Sequence, residues 1–237
     1  MRRRAFLALA AAAGCAPRRR LTARVLPERA EPAVELAVLG DSLAYGTGAS
    51  DTAHGFAFLT YEAIARERPG SEITNYAIGG SVARDVVRLQ AARLRERRAD
   101  AVIVCVGGND VVRATDPDAF AAAYRELLAA VRRFAPQAAI VVLGVPDVAI
   151  SPLFAERAEA VRALARADDR GARAAASAAR ATYVDLFALT HGRRDPAAFL
   201  GSDRFHPSNG GHAAIAAAVI PAVRGALAKQ GARRPVK

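Results

Sequence analysis

Short apolar runs alternate with longer amphipathic segments along most of this chain. Apolar runs of about four to eight residues, bounded by Gly, Pro or polar residues, are typical of strands buried on both faces. Residues 34–39, 101–106 and 139–144 fit that pattern, and the more polar segments 72–77 and 182–186 are also predicted to be strands. The clearest helical stripe follows Asp116-Pro117, a pair typical of a helix start, and comprises Phe120, Tyr124, Leu127, Val131 and Phe134.

This alternation predicts an α/β protein, a three-layer α/β/α sandwich with a flavodoxin-like parallel sheet of about five strands. Helices are expected between the runs, including one over residues 155–181 that is weakened at Gly171. A final helix through Ala226 is expected to kink at Pro221. No repeat or linker divides residues 33–237, so they are predicted to form one domain.

The first fourteen residues have the three parts of an export signal: basic residues 2–4, apolar residues 5–13, then small residues. Residues 3–7 resemble the twin-arginine (Tat) consensus. Residues 12–15 resemble a bacterial lipobox, in which the cysteine, here Cys15, is lipidated. We therefore expect an exported lipoprotein facing the periplasm or cell exterior, with residues 15–32 as a tether. Cleavage after Ala13 is the alternative and would leave a soluble secreted protein.

Charge and composition exclude several other classes. The formal net charge is +11, but the arginines are scattered over several predicted helices without interleaved aromatic residues, which argues against nucleic-acid binding. The two cysteines do not resemble a pair, and Cys105 lies in an apolar run. No metal-binding motif is present, and no stretch reaches the roughly 20 apolar residues of a membrane span.

A candidate nucleophile, a candidate base and a candidate orienting carboxylate lie next to the ends of predicted strands or helices. Ser42 directly follows the first strand, at the edge of a parallel sheet where ligands bind. A serine hydroxyl needs a base to remove its proton, and His206 can supply one. Asp203 can hold the other ring nitrogen of that histidine. A serine in this position is also an ordinary helix cap, so the assignment depends on the Asp203–His206 pair.

Acyl transfer also requires donors for the developing oxyanion. Gly80 suits this role because a residue without Cβ lets its N–H approach a substrate. The side-chain amide of Asn109 and the N–H of Ser42 are the other candidates. Gly79 is the alternative to Gly80. Tight turns explain the glycines equally well, but they leave Asn109 unexplained.

Ser42, Gly80, Asn109 and His206 resemble, in order, the four residues that name the SGNH, or GDSL, hydrolases, with Asp203 at the family's Asp-x-x-His position. Residues 40–43, 75–80 and 107–110 resemble the family's first three blocks, and the likeness spans residues 34–226. It implies hydrolysis of lipid, aryl or thio esters through an acyl-enzyme at Ser42, with no metal or organic cofactor. Residues 46–49 resemble the lysophospholipase and acyl-thioesterase branch.

Two alternatives remain at this point. The same site can serve an O-acetyl polysaccharide deacetylase, and a domain of this fold can be an inactive binding module. His54 and His191 are interpreted as solvated loop residues and His212 as a partly buried packing residue. Turn-stabilising or structural roles are expected for Asp41, Asp110 and Asp185.

Overall fold

Five short strands form one sheet in which every neighbouring pair is parallel. The computed structural model describes residues 31–193 and 195–231, so the predicted leader, Cys15 and most of the predicted tether lie outside the described residues. The strand order is β2-β1-β3-β4-β5, the flavodoxin-like order, which confirms the predicted fold class. The strands are β1 (Glu35–Gly40), β2 (Glu72–Asn75), β3 (Ala101–Cys105), β4 (Ala139–Leu143) and β5 (Thr182–Val184).

Helices connect the strands and cover the sheet. Short 3₁₀ turns at Thr52–His54, Ala91–Arg95, Val148–Ile150 and Pro152–Arg157 complete the connections. The helices are α1 (Ser42–Tyr45), α2 (Phe56–Glu67), α3 (Ala83–Leu89), α4 (Gly108–Val112), α5 (Pro117–Phe134), α6 (Ala158–Ala178), α7 (Leu186–Thr190), α8 (Pro196–Phe199) and α9 (Asn209–Gly231).

Alternate residues of the central strands β1, β3 and β4 belong to two separate hydrophobic cores. Val102 and Val104 of β3 face one core, where α3, α5 and α6 pack. Ile103 and Cys105 face the other, which is covered by α2 and α9. Because successive side chains of a strand point to opposite faces, burial of both sets produces the continuous apolar runs of the sequence. The result is the predicted three-layer sandwich.

Helices α5 and α6 show how local sequence and close packing combine. Asp116 caps α5 by accepting hydrogen bonds from the N–H groups of Asp118 and Ala119, as the Asp116-Pro117 pair predicts. Helix α6 continues through Gly171, the residue at which a weak point is expected. A Cβ there would lie 3.1 Å from the Cβ of Ala121, so the glycine permits α5 and α6 to approach each other.

The sequence predicts no segment long and apolar enough to cross a membrane, but helix α9 is such a segment. By length and composition it passes that criterion, alone among the described helices. It packs against α2, β4 and β5, and its residues Ile215 and Val219 belong to the second core. This packing is that of a core helix in a globular domain, so its apolar character is explained without a bilayer.

The register of the sheet places four strand ends at one level. Gly40 of β1 pairs with Cys105 of β3, Cys105 pairs with Leu143 of β4, and Leu143 pairs with Val184 of β5. The loops that follow these residues therefore emerge side by side at one edge of the sheet. This edge, which we call the carboxyl edge, carries the candidate site.

Candidate active site

Ser42 is held by the turn that leaves β1. The Asp41 N–H donates to the carbonyl of Cys105 at 3.2 Å, which joins this turn to β3. The Asp41 carboxylate accepts from the Leu43 N–H at 3.0 Å and caps the short helix α1, which begins at Ser42. The expectation that Asp41 stabilises the turn around Ser42 is confirmed.

The three residues expected to act together are adjacent. His206 Nε2 lies 2.8 Å from Ser42 Oγ, and His206 Nδ1 lies 2.6 Å from Asp203 Oδ2. Burial raises the pKa of Asp203, but hydrogen bonds from the His206 ring and from the N–H groups of Phe205 and His206 outweigh it and leave the pKa below its usual range. An ionised carboxylate only accepts hydrogen bonds, so Nδ1 carries the proton and Nε2 is free to accept the serine hydroxyl.

The loop that carries His206 is fixed by contacts that the sequence did not predict. Ser151 Oγ, in the loop after β4, donates to the carbonyl of Arg204 at 2.6 Å. Arg204 has a φ of 57°, a left-handed conformation that non-glycine residues adopt only when surrounding contacts enforce it. Phe205 packs edge-on against both Phe154 and the His206 ring. No local motif marks Ser151, because its partner is 53 residues away.

The candidate oxyanion donors lie on two loops beside Ser42. The Ile78 N–H donates to the carbonyl of Gly40 at 3.1 Å, and a Cβ on Gly79 would lie 3.9 Å from that of Ser42. Gly80 follows with a φ of 80°, which favours glycine. The side-chain nitrogen of Asn109 donates one hydrogen bond, 3.0 Å long, to the Ser81 carbonyl, which leaves its second hydrogen for a substrate.

Two further carboxyl groups near the site have raised pKa values, unlike Asp203. Burial raises the pKa of Asp41 to about 7, against hydrogen bonds from Leu43 and Gly107 that lower it. Burial likewise raises the pKa of Asp110 to about 6, against a hydrogen bond from the Ala83 N–H. That 3.0 Å bond joins Asp110 to the first turn of α3. The Asp110 carboxyl also accepts a hydrogen bond from its own N–H beside Asn109, as expected, so it joins the start of α4 to α3.

The interpretations of the three other histidines are confirmed. His212 is fully buried, accepts from the Phe56 N–H at 3.2 Å and contacts the Thr47 carbonyl at 3.0 Å, and burial lowers its pKa. His54 is exposed beside Asp51, as expected. His191 is likewise an exposed turn residue, as expected, and in addition it stacks on Phe187 and lies 2.7 Å from Asp147.

Asp147 is a buried carboxylate that sequence reasoning missed. It follows β4 at the carboxyl edge and contacts both the Arg162 guanidinium, at 2.9 Å, and the His191 ring. Its N–H donates to Thr190 Oγ at 2.8 Å. The only signal in the sequence is its place in the loop that follows β4. Its partners lie on α6 and at the end of α7, which become neighbours only in the folded chain. Asp185, by contrast, caps α7 and pairs with Arg173, in keeping with a structural role.

A cavity of about 60 Å³ extends from Ser42 and His206 into the domain. Asp147 and Thr190 supply polar groups at one side, but both are satisfied by hydrogen bonds. Most of the remaining wall is apolar and includes Val148, Ile150, Leu186, Phe199, Leu200 and Ile215. Within residues 31–193 and 195–231, no group of three or more His, Cys, Asp or Glu side chains is arranged to hold a metal ion.

The sequence profile of the GDSL-like lipase/acylhydrolase family matches residues 38–214, which include every residue of this site. The chain belongs to that family. No curated protein matches the chain in a sequence search.

Solved structures with the same fold include several esterases. The chain is similar to TesA, with 22% identity, a TM-score of 0.66, and coverage of 81% of this chain and 99% of TesA. It is also similar to Axe2, an acetylxylan esterase from Geobacillus stearothermophilus, with 21% identity and a TM-score of 0.66. That match covers 82% of this chain and 95% of Axe2. The match to the esterase EstA from Pseudoalteromonas sp. has 16% identity and a TM-score of 0.65, and it covers 82% of this chain and 99% of EstA. Family and fold together establish an ester-hydrolysing enzyme of the GDSL/SGNH type.

Replacing Asp203 by Asn should lower kcat by roughly two to four orders of magnitude, because the amide no longer stabilises an imidazolium. Replacing Asp185 by Asn is the matched control at the same edge. It should leave kcat within about twofold and change stability by less than about 1 kcal/mol, because Asn also caps a helix and only the exposed ion pair with Arg173 is lost. Steady-state hydrolysis of a p-nitrophenyl ester measures both, and the reverse ranking of the two variants would assign the orienting role to Asp185.

Proposed function

We propose that the protein is a serine esterase that forms an acyl-enzyme at Ser42. The observation that carries this proposal is the hydrogen-bonded series from Asp203 through His206 to Ser42 Oγ at the mouth of an apolar cavity. Ser42 Oγ attacks the ester carbonyl carbon while His206 Nε2 takes the hydroxyl proton. The Asp203 carboxylate stabilises the imidazolium that results.

The negative charge that develops on the carbonyl oxygen is stabilised by hydrogen-bond donors. The N–H groups of Ser42 and Gly80 and the second amide hydrogen of Asn109 are the proposed donors. The tetrahedral intermediate collapses, its bond to the alcohol oxygen breaks, and His206 returns the proton to the departing alcohol. Water then attacks the acyl-enzyme with His206 again as base, which releases the acid and regenerates Ser42.

The cavity favours esters of short acyl groups. An engineered protein cavity of about 150 Å³ accommodates benzene, so the 60 Å³ cavity here suits an acyl group of a few carbons. This size supports the second candidate function, deacetylation of an O-acetylated polysaccharide, beside the first, hydrolysis of lipid, aryl or thio esters. An acetylxylan esterase with the same fold shows that this architecture accommodates such substrates. An inactive binding module is disfavoured, because such a module has no need to retain Asn109 or the hydrogen-bonded pair of Ser42 and His206.

We also propose that the enzyme is exported and anchored through a lipid on Cys15. This proposal rests on the leader and lipobox of the sequence. Residues 31–34 enter β1 at the amino end of the sheet, whereas Ser42 lies beyond its carboxyl end. An anchor ahead of residue 31 therefore joins the domain at the edge opposite the cavity, and substrate can reach Ser42 from the side away from the membrane.

The nucleophile is tested by Ser42→Ala. The variant should remain folded, but its rate of hydrolysis should fall by at least about 10⁴-fold, because no hydroxyl remains to accept the acyl group. It should also lose covalent labelling by a fluorophosphonate probe, which the parent enzyme should show. Full activity with an unchanged thermal midpoint in Ser42→Ala would contradict the proposed mechanism.

The acyl preference is tested with p-nitrophenyl acetate, butyrate and octanoate. We expect kcat/KM for acetate or butyrate to exceed that for octanoate by at least about tenfold, since longer chains do not fit the cavity. Turnover of acetate alone would favour the deacetylase.

Val148→Ala removes two methyl groups from the cavity wall and should raise the relative rate on octanoate. Leu153→Ala, an exposed residue outside the wall, should leave the preference unchanged. A parent enzyme that prefers octanoate would contradict the short-acyl proposal.

The anchor is tested by mass spectrometry of the mature N-terminus after expression in a bacterial host with lipoprotein export. Cys15 should be the first residue and should carry acyl chains, and Cys15→Ser should release the protein from the membrane fraction. An unmodified N-terminus at any other residue would rule out the lipoprotein.

A further inference from the structure

The glycine loop beside Ser42 is closed by few bonds of its own. Residues 78–81 form a turn in which the Ser81 N–H donates to the Ile78 carbonyl at 3.2 Å. Both central residues, Gly79 and Gly80, are glycines, and Gly80 has a φ of 80°, as the third residue of a type II turn requires. Turn types I and II differ in the direction of the central N–H, here that of Gly80. Because glycine adopts both at little steric cost, this turn needs outside contacts to hold one of them.

Those contacts come from α4 and the residue after it. Asn109 donates to the Ser81 carbonyl at 3.0 Å, and Asp110 accepts from the Ala83 N–H at 3.0 Å. Arg113, one helical turn beyond Asn109, donates from its guanidinium to the Gly80 carbonyl at 2.8 Å. The three contacts attach three successive parts of the glycine loop to one short helix. Arg113 alone among these side chains contacts Gly80 itself.

We propose that Arg113 is a positioning residue that holds Gly80 in the conformation needed to stabilise the oxyanion. The inference rests on the proposed function, in which the Gly80 N–H is an oxyanion donor. By binding the carbonyl of Gly80, the guanidinium fixes the peptide next to that N–H and limits the conformations open to the turn. Arg113 does not contact the reacting atoms, and it acts through the glycine.

The surface position of Arg113 separates positioning from stability. Its hydrogen bond to Gly80 is solvent-exposed, and exposed polar contacts contribute little to folding free energy. Loss of the guanidinium should therefore leave the fold intact while the donor becomes misaligned. A donor that is misaligned rather than removed should cost less than the roughly 100- to 1000-fold loss that follows deletion of an oxyanion donor.

The test compares Arg113→Ala, Arg113→Lys and the control Arg84→Ala, which removes the same charge from an exposed position on α3. Arg113→Ala should lower kcat about tenfold with KM within about twofold, because an interaction made in the transition state is weakened. The rate of fluorophosphonate labelling, which forms a tetrahedral adduct, should fall by a similar factor. Arg113→Lys keeps a donor and should recover most of the loss, whereas Arg84→Ala and all thermal midpoints should match the parent.

Two results would overturn the inference. One is a kcat for Arg113→Ala within twofold of the parent, and the other is an equal loss in Arg84→Ala, which would indicate a general effect of charge. A rise in KM at constant kcat would assign Arg113 to substrate binding and would likewise contradict positioning. Failure of the proposed function is separately recognisable, since the parent enzyme would then show no labelling at Ser42.

Discussion

Gly40 lies so close to β3 that a Cβ at this position would be 1.9 Å from the carbonyl oxygen of Cys105. This close approach lets the chain leave β1 and turn directly over the end of the neighbouring strand, where the Asp41 N–H binds the same carbonyl. Ser42 therefore emerges beside the loop that carries Asn109. Because the register of β1, β3, β4 and β5 is fixed by their buried side chains, a shift of one residue would reverse the faces and separate these loops.

Asp41, Asp110 and Asp203 show how the local environment gives the same side chain different pKa values and different roles. Asp41 and Asp110 are buried among backbone groups of the turns, and burial raises the pKa of each, to about 7 and about 6. Asp203 receives hydrogen bonds from two N–H groups and the His206 ring, and its pKa lies below the usual range. Of the three, only Asp203 has a pKa that its surroundings lower. An ionised partner is what an imidazolium at His206 requires, so environment favours Asp203 for that position.

Much of the fold could be predicted because the central strands β1, β3 and β4 are buried on both faces and leave nearly uninterrupted apolar runs. The parallel arrangement follows from the helices between those runs, and with it the meeting of Ser42 and Asn109 at one edge. The contact between Asp203 and His206 could also be predicted, since the two residues are three positions apart in the sequence. In these cases the information is local or is imposed by the topology.

The contacts that hold the site in place were not predictable, since they join segments that become neighbours only after folding. Ser151 binds the Arg204 carbonyl, Asp147 binds side chains from α6 and α7, and Arg113 binds Gly80. The continuity of α6 through Gly171 has the same origin. Propensity predicts a weak point, but the approach of α5 requires a small residue there. Propensity is overridden where tertiary packing supplies more energy than a single residue's preference.

The convergence of these loops around one carbonyl carbon is tested most directly by a crystal structure of the enzyme after reaction with an organophosphonate. The account predicts phosphorus bonded to Ser42 Oγ and a phosphonyl oxygen within about 3 Å of the Gly80 nitrogen and the Asn109 side-chain nitrogen. His206 Nε2 should remain within hydrogen-bonding distance of the adduct. Phosphorus on another residue, or a phosphonyl oxygen directed away from both nitrogens, would contradict it.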